Sequence, residues 1–201
     1  MPRKRNTSRG YSQRKVGTRE VRQRFLIVCE GEKTEPNYFR NFRVSKVVID
    51  IKGLGTNPSN LVQETKRLRD KEKEDYNQVW CVFDRDSWQA DDFNSAIRSA
   101  EKENIKVAYS NEAFELWYIL HFEFVNTGIP RKDYEEKLTK LLGEQYKKNS
   151  DSMYDDLIDK QNTAIKNADN LLKQYDPHNP AKDNPSTTVH LLVKELNRFI
   201  R

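Results

Sequence analysis

The chain opens polar and turns apolar abruptly after Arg24. Phe25-Leu26-Ile27-Val28-Cys29 is a continuous apolar run of strand length, the pattern of a strand buried on both faces. Residues 30–36 follow, with Gly31 for a tight turn, Thr34 as a cap and Pro36 suited to a first helical turn into residues 37–42. Positions 44–52 alternate through Val47, Ile49 and Ile51 as a second strand, and Gly53-Leu54-Gly55-Thr56 reads as a turn. Asn57-Pro58 starts a helix in which Leu61, Val62, Thr65 and Leu68 recur at the helical period, with charges on the other face through Asp75. Val79-Trp80-Cys81-Val82-Phe83 is a third strand, ending in Asp84-Arg85-Asp86. Ser87 or Asp91 caps the next helix, whose Phe93, Ile97 and Ala100 face inward, and residues 105–109 form a fourth strand.

Short strands interleaved with helices over about 100 residues predict an α/β fold, a Rossmann-like parallel sheet with flanking helices. Residues 111–122 are apolar nearly all round and predict a central helix, in which Glu112, Glu115 and His121 stand out. Beyond Gly128-Ile129-Pro130 the pattern predicts helices over 131–147 and 153–175, a turn-rich stretch over 176–186 and a last helix over 187–199. Three regions are expected: a flexible arm (1–24), the α/β core (25–125), and a helical C-terminal elaboration (126–201) packed on that core.

Composition narrows the class. Of 201 residues, 35% are hydrophobic and 33% charged, and no apolar run approaches the length a bilayer crossing needs, so a soluble protein is expected. Cys29 and Cys81 each sit inside a strand-like run. They read as buried thiols in a reducing compartment such as the cytoplasm, and not as a disulfide or metal-thiolate pair. The net charge of +5 is uneven: residues 1–24 hold nine Lys or Arg against one acid, Glu20, leaving 27 basic and 30 acidic residues in the rest. The excess positive charge therefore lies in the arm, which is too polar to fold alone and lacks the apolar core of a secretory signal. Its Arg3, Lys4, Arg5, Arg9, Arg14 and Lys15 suit nucleic-acid phosphates, the plain alternative being a solubilising tail.

In parallel sheets function collects at the carboxyl ends of strands. Glu30 follows the first strand and Asp84 and Asp86 the third, so the fold itself brings three carboxylates to one rim. Side chains two apart on an extended segment point the same way, which lets Asp84 and Asp86 share a hard cation such as Mg²⁺. Two such ions can clamp a scissile phosphodiester. The structural alternative is that these are turn and capping carboxylates, compensated by Lys33 and Arg85. A carboxylate on an apolar helix, Glu115, also calls for a cation or a donor. Asn184, Thr187 and Thr188 stand at the mouth of the last helix, where they could hold a phosphate or simply cap. Trp88, Tyr38 and Tyr109 could stack on bases or pack in the core.

Strand-Glu-Gly followed two elements later by strand-Asp-x-Asp resembles the Toprim catalytic domain of primases, topoisomerases and the nucleases related to overcoming-lysogenization-defect proteins. Four motifs resemble the RloB family within that group: residues 29–39, Phe83-Asp84-Arg85-Asp86, Phe114-Glu115-Leu116-Trp117 with His121-Phe122, and Asn184-Pro185-Ser186-Thr187-Thr188-Val189. Glu112-Ala113 departs from the family pattern before the Phe-Glu pair. The resemblance implies a Mg- or Mn-dependent nuclease cutting RNA, tRNA among the candidates, or DNA. It makes Glu30 a general base or metal ligand, Asp84 and Asp86 metal ligands, and Glu115 and Glu35 further ligands, the plain alternatives being a buried pair of Glu115 with a Lys or Arg and a helix-start role for Glu35. His121 is expected in the core or beside the site and not as a ligand, and Lys33 and Arg85 against the nucleic acid. It further implies an ABC- or AAA-type ATPase partner in an anti-phage, abortive-infection setting. Two other readings are open: a non-catalytic subunit that binds nucleic acid and the ATPase, and a haloacid-dehalogenase-like phosphatase with Asp84 as nucleophile, which leaves Glu30-Gly31 unexplained.

Overall fold

Four strands run parallel: β1 (Gln23–Cys29), β2 (Val47–Gly53), β3 (Gln78–Asp84) and β4 (Lys106–Asn111). They are joined in turn by α1 (Thr34–Arg40), α2 (Pro58–Lys71) and α3 (Ala90–Lys102). The computed structural model describes residues 22–45, 47–72 and 75–200, so the six arm cations named above lie outside the described residues. The strand order is β2-β1-β3-β4-β5, in which the short β5 (Ser186–Thr187) is antiparallel to β4. This is a Rossmann-like α/β architecture. The chain leaves β1 for β2 on one side and returns to β3 on the other, so the strand order reverses between the carboxyl ends of β1 and β3. Open α/β sheets form their binding crevices at such points.

Alternation along β1 sorts its side chains to two cores. Phe25, Ile27 and Cys29 join a layer with α1, α4 (Glu115–Ile119), α5 (Tyr134–Leu142), α6 (Met153–Leu157), α7 (Gln161–Leu172) and α8 (Val189–Asn197). Leu26 and Val28 face α2 and α3 with Leu61, Phe93 and Ala100. Cys29 and Cys81 belong to opposite faces and are buried free thiols, so they cannot bridge. Among the described residues no helix is long and apolar enough to cross a membrane.

Several element bounds differ from the pattern. Thr34 does not cap α1; Lys33 holds that position, and the Thr34 hydroxyl donates to Asn149 Oδ1 at 2.8 Å. The cap of α3 is Gln89, without a side-chain bond, and Asp91 lies in the first turn. The helix expected over 111–122 shrinks to α4 because Asn111 still pairs with Ser186 as the end of β4 and the Glu112 carbonyl accepts from Asp86 N at 3.0 Å. The segment expected as one helix over 131–147 is a 3-10 turn at Arg131–Asp133 followed by α5, which stops at Gly143 with a left-handed φ of 76°. The expected 153–175 helix is α6, a 3-10 turn at Ile158–Lys160 and α7. The C-terminal segment is more than helical, since β5 joins the sheet.

The loop after β1 packs tightly on the end of β2. Leu54 N and Gly55 N donate to the Cys29 and Glu30 carbonyls at 3.1 and 2.8 Å. A Cβ on Gly53 would stand 2.6 Å from the Gly31 carbonyl oxygen and 2.8 Å from Glu32 Cα, both backbone. Gly53→Ala therefore has to push the loop off the strand. It is expected to cost about 1–3 kcal/mol in urea unfolding, as overpacked sites do, and a cost near zero would contradict this packing.

Candidate active site

The carboxyl end of β1 delivers Glu30 to the crevice, where its two oxygens are held by separate donors: Oε2 by Asp84 N and Oε1 by Trp88 Nε1, each at 3.0 Å. Burial raises its pKa, against the lowering effect of those two bonds. Asp84 ends β3 with Oδ2 accepting from Phe114 N at 3.1 Å, while Oδ1 is buried with no partner. Burial first, then the carboxylates of Glu35, Glu115 and Glu30, push the Asp84 carboxyl well above its usual range.

Two more acids close the floor. Glu35, 6% exposed, comes from the first turn of α1. Its carboxylate lies over Gly31, where a Cβ would stand 2.2 Å from Oε2, so a glycine is needed for the acid to fold back. Burial, followed by repulsion from Glu115 and Glu30, raises Glu35 to about 7. Glu115, 7% exposed on α4, accepts from the Tyr146 hydroxyl at 3.3 Å. Among the described residues none of Glu30, Glu35, Asp84 and Glu115 has an ion-pair partner. The family resemblance and this geometry meet in one cleft of about 740 Å³, whose lining includes six carboxylates against three cations, Lys33, Arg131 and Lys148.

A family model described as RloB-like protein matches residues 25–196. The chain belongs to the RloB-like family. No curated protein and no solved structure matches it.

In this RloB-like chain the cleft gathers Glu30, Glu35, Asp84, Asp86, Glu115 and Lys33. Asp86 arrives differently from the expectation. It has left the strand, with φ at +39°, and its carboxylate pairs with Arg131 while that of Asp84 turns to Phe114 N. The two therefore do not point alike, because the same-side rule holds only while the backbone stays extended. Arg85 does not line the cleft; its guanidinium donates to the carbonyls of Asp86 and Trp88 in its own turn. Neither Lys33 nor Arg85 compensates the acids, and the compensation found is Arg131 on Asp86.

Three expected neighbours lie elsewhere. His121 is buried beside Trp117 with Nδ1 against the Trp117 carbonyl at 2.8 Å, and burial lowers its pKa to about 4, so it is a neutral core residue. Thr187 donates to the Tyr109 carbonyl and receives Val189 N, tying β5 to β4. Asn184 is exposed beside Gly128. None of the three lines the cleft. Tyr38 is a core ring among Phe42, Phe114 and Tyr154, and Tyr109 bonds His178.

The pattern missed Arg131, Lys148 and Asn149, which come from the loops around α5. Asn149 is tied to α1 through Thr34 and through Asn37 Nδ2 on its carbonyl at 3.3 Å, which brings Lys148 to the rim. No local signal marks these residues, since Lys148 and Asn149 enter through the long-range clamp of residues 149–151 on α1 and Arg131 through its bonds to Glu112 and Asp86.

The donor set is hard oxygen and the Asp84 Oδ1 atom is buried without a partner, which suits a divalent cation. Among the described residues no three His, Cys, Asp or Glu stand close enough to hold an ion as they are. The acids ring the cleft instead of converging on a point. Mg²⁺ fits such a ring, because it keeps several waters and is bound through one or two carboxylates.

Proposed function

We propose that the cleft hydrolyses phosphodiester bonds of nucleic acid with Mg²⁺ or Mn²⁺, as a Toprim-type nuclease. One observation carries this reading: four buried or half-buried carboxylates meet at the strand-order reversal, and among the described residues no cation is paired to them. Burying like charges together is costly unless something neutralises them. Asp84 with Glu115 or Glu35 would hold the ion, waters filling its other positions, and once bound it would supply positive charge and a more acidic water.

The remaining work falls to the chain's own groups. Glu30 is held in place by Asp84 N and Trp88 Nε1, and its raised pKa suits it to take a proton from the attacking water as a general base. Lys33, Arg131 and Lys148 supply the cations that draw phosphate to an acidic floor. Arg131 must exchange Asp86 for the phosphate to do so. The arm cations add affinity for the polymer, and the family resemblance extends the role to a defence effector working with an ATPase.

A second reading, a binding subunit without catalysis, draws on the Arg131–Asp86 pair, which is the kind of compensation structural acids have. The phosphatase reading leaves Glu30 idle, although Glu30 is bonded to the Asp84 backbone. End-mapping of a mixed tRNA and plasmid DNA pool after incubation with the protein separates these. The nuclease reading predicts discrete new ends with Mg²⁺ or Mn²⁺ and none with EDTA. Cuts that persist in EDTA, or none with either ion, would count against it.

A further inference from the structure

A second cavity, of about 490 Å³, opens beside the acidic cleft. It is lined by Glu115, Arg131, Lys132, Tyr134, Glu135 and Lys148, and it shares Glu115, Arg131 and Lys148 with the first. The charge balance reverses across that seam: three cations face two carboxylates here, whereas in the cleft acids outnumber cations two to one.

The cations of this cavity are also paired differently from their neighbours. On α5, Lys137 is bound to Glu123 at 2.5 Å and Lys140 to Glu136 at 2.6 Å. Lys132 and Lys148 have no ion-pair partner among the described residues. Tyr134, only 1% exposed, lines the same cavity with a buried hydroxyl whose oxygen faces the Glu112 backbone N–H and whose own proton has no acceptor among the described residues. A buried hydroxyl proton without an acceptor is costly, and a ligand oxygen would remove that cost.

We propose that this second cavity binds a backbone phosphate of the nucleic-acid strand, next to the phosphate at the carboxylates, with Lys132 and Lys148 supplying charge and Tyr134 a hydrogen bond. The proposal rests on the nucleic-acid reading given above, but not on hydrolysis. Phosphates repeat along a strand, so a strand lying over the acidic floor needs a cationic seat for its neighbour. Arg131 at the seam and the loop clamped to α1 place that seat on the α5 side.

The test measures binding of a short fluorescein-labelled single strand, DNA or RNA, to the full chain in EDTA by anisotropy over a salt series. Lys132→Gln/Lys148→Gln is expected to lower the salt slope by roughly 0.7, the share of the one phosphate lost, which is on the order of five-fold in affinity near ~0.1 M salt. Lys137→Gln/Lys140→Gln removes the same charge from paired positions and should cost several-fold less. Tyr134→Phe should weaken binding with the salt slope unchanged. Equal losses for the two double variants, or none for Lys132→Gln/Lys148→Gln, would overturn the proposal. If binding discriminates as expected but Mg²⁺ or Mn²⁺ yields no cuts, the phosphate seat stands and the hydrolytic reading falls. If cuts appear and the two double variants bind alike, the seat falls and hydrolysis stands.

Discussion

Asp84→Asn is expected to reduce metal-dependent cleavage by at least ~10³-fold while raising the thermal stability of the metal-free protein. Both effects have one cause. The Asp84 carboxyl is buried with one unpaired oxygen and is pushed upward by burial and by Glu35, Glu115 and Glu30. A group whose ionised form the fold disfavours weakens the fold at neutral pH, so a neutral amide of the same shape relieves the strain between acids. The same ionised form is what a cation or a reacting phosphate needs. A residue serving only as a turn carboxylate would give the opposite stability result, because removing it would cost a capping bond and gain nothing. Melting curves in EDTA, read beside initial cleavage rates, distinguish the two.

Glu35→Gln should make stability depend less on pH. The folded pKa of Glu35 is raised to about 7, chiefly by burial, from an ordinary 4.5. Between those values the unfolded chain has lost the proton that the folded chain still holds. Stability from this group therefore falls as pH rises through the window and stays low above about 7. In EDTA, Glu35→Gln and the wild type should melt alike near pH 4.5. By pH 8 the variant should be more stable by on the order of 3 kcal/mol, or about 10 °C. A melting difference that is the same at both pH values would show that Glu35 is not the buried acid described here.

Much of this was legible in the order of residues, and what was not has a physical reason. The apolar runs at 25–29 and 79–83 read as strands buried on both faces, which β1 and β3 are, and the acids that end them do meet at the crevice. Asp86 departs from the expected orientation because a turn of the backbone at positive φ overrides the alternation that the sequence suggests. β5 escaped because two polar residues, Ser186 and Thr187, carry no strand period; they pair only because β4 offers an edge. His121 sits two residues beyond a helix shorter than the apolar pattern predicts, and it takes the core place beside Trp117, one of the two expected for it. The cationic rim was the least visible part. Arg131 and Lys148 lie far in sequence from β1 and β3; Arg131 is held over the acids by its bonds to Glu112 and Asp86, and Lys148 by the bonds that tie residues 149–151 to Thr34, Asn37 and Asn41.

On the reading proposed above, the unpaired carboxylates of this cleft serve a divalent cation. The measurement that tests it most directly is Mn²⁺ binding to the metal-free protein, followed by electron paramagnetic resonance of the free ion, for the wild type and for Asp84→Asn. The account predicts saturable binding that competes with Mg²⁺ and is lost in the variant. Binding that is absent from the wild type, or unchanged in Asp84→Asn, would contradict it.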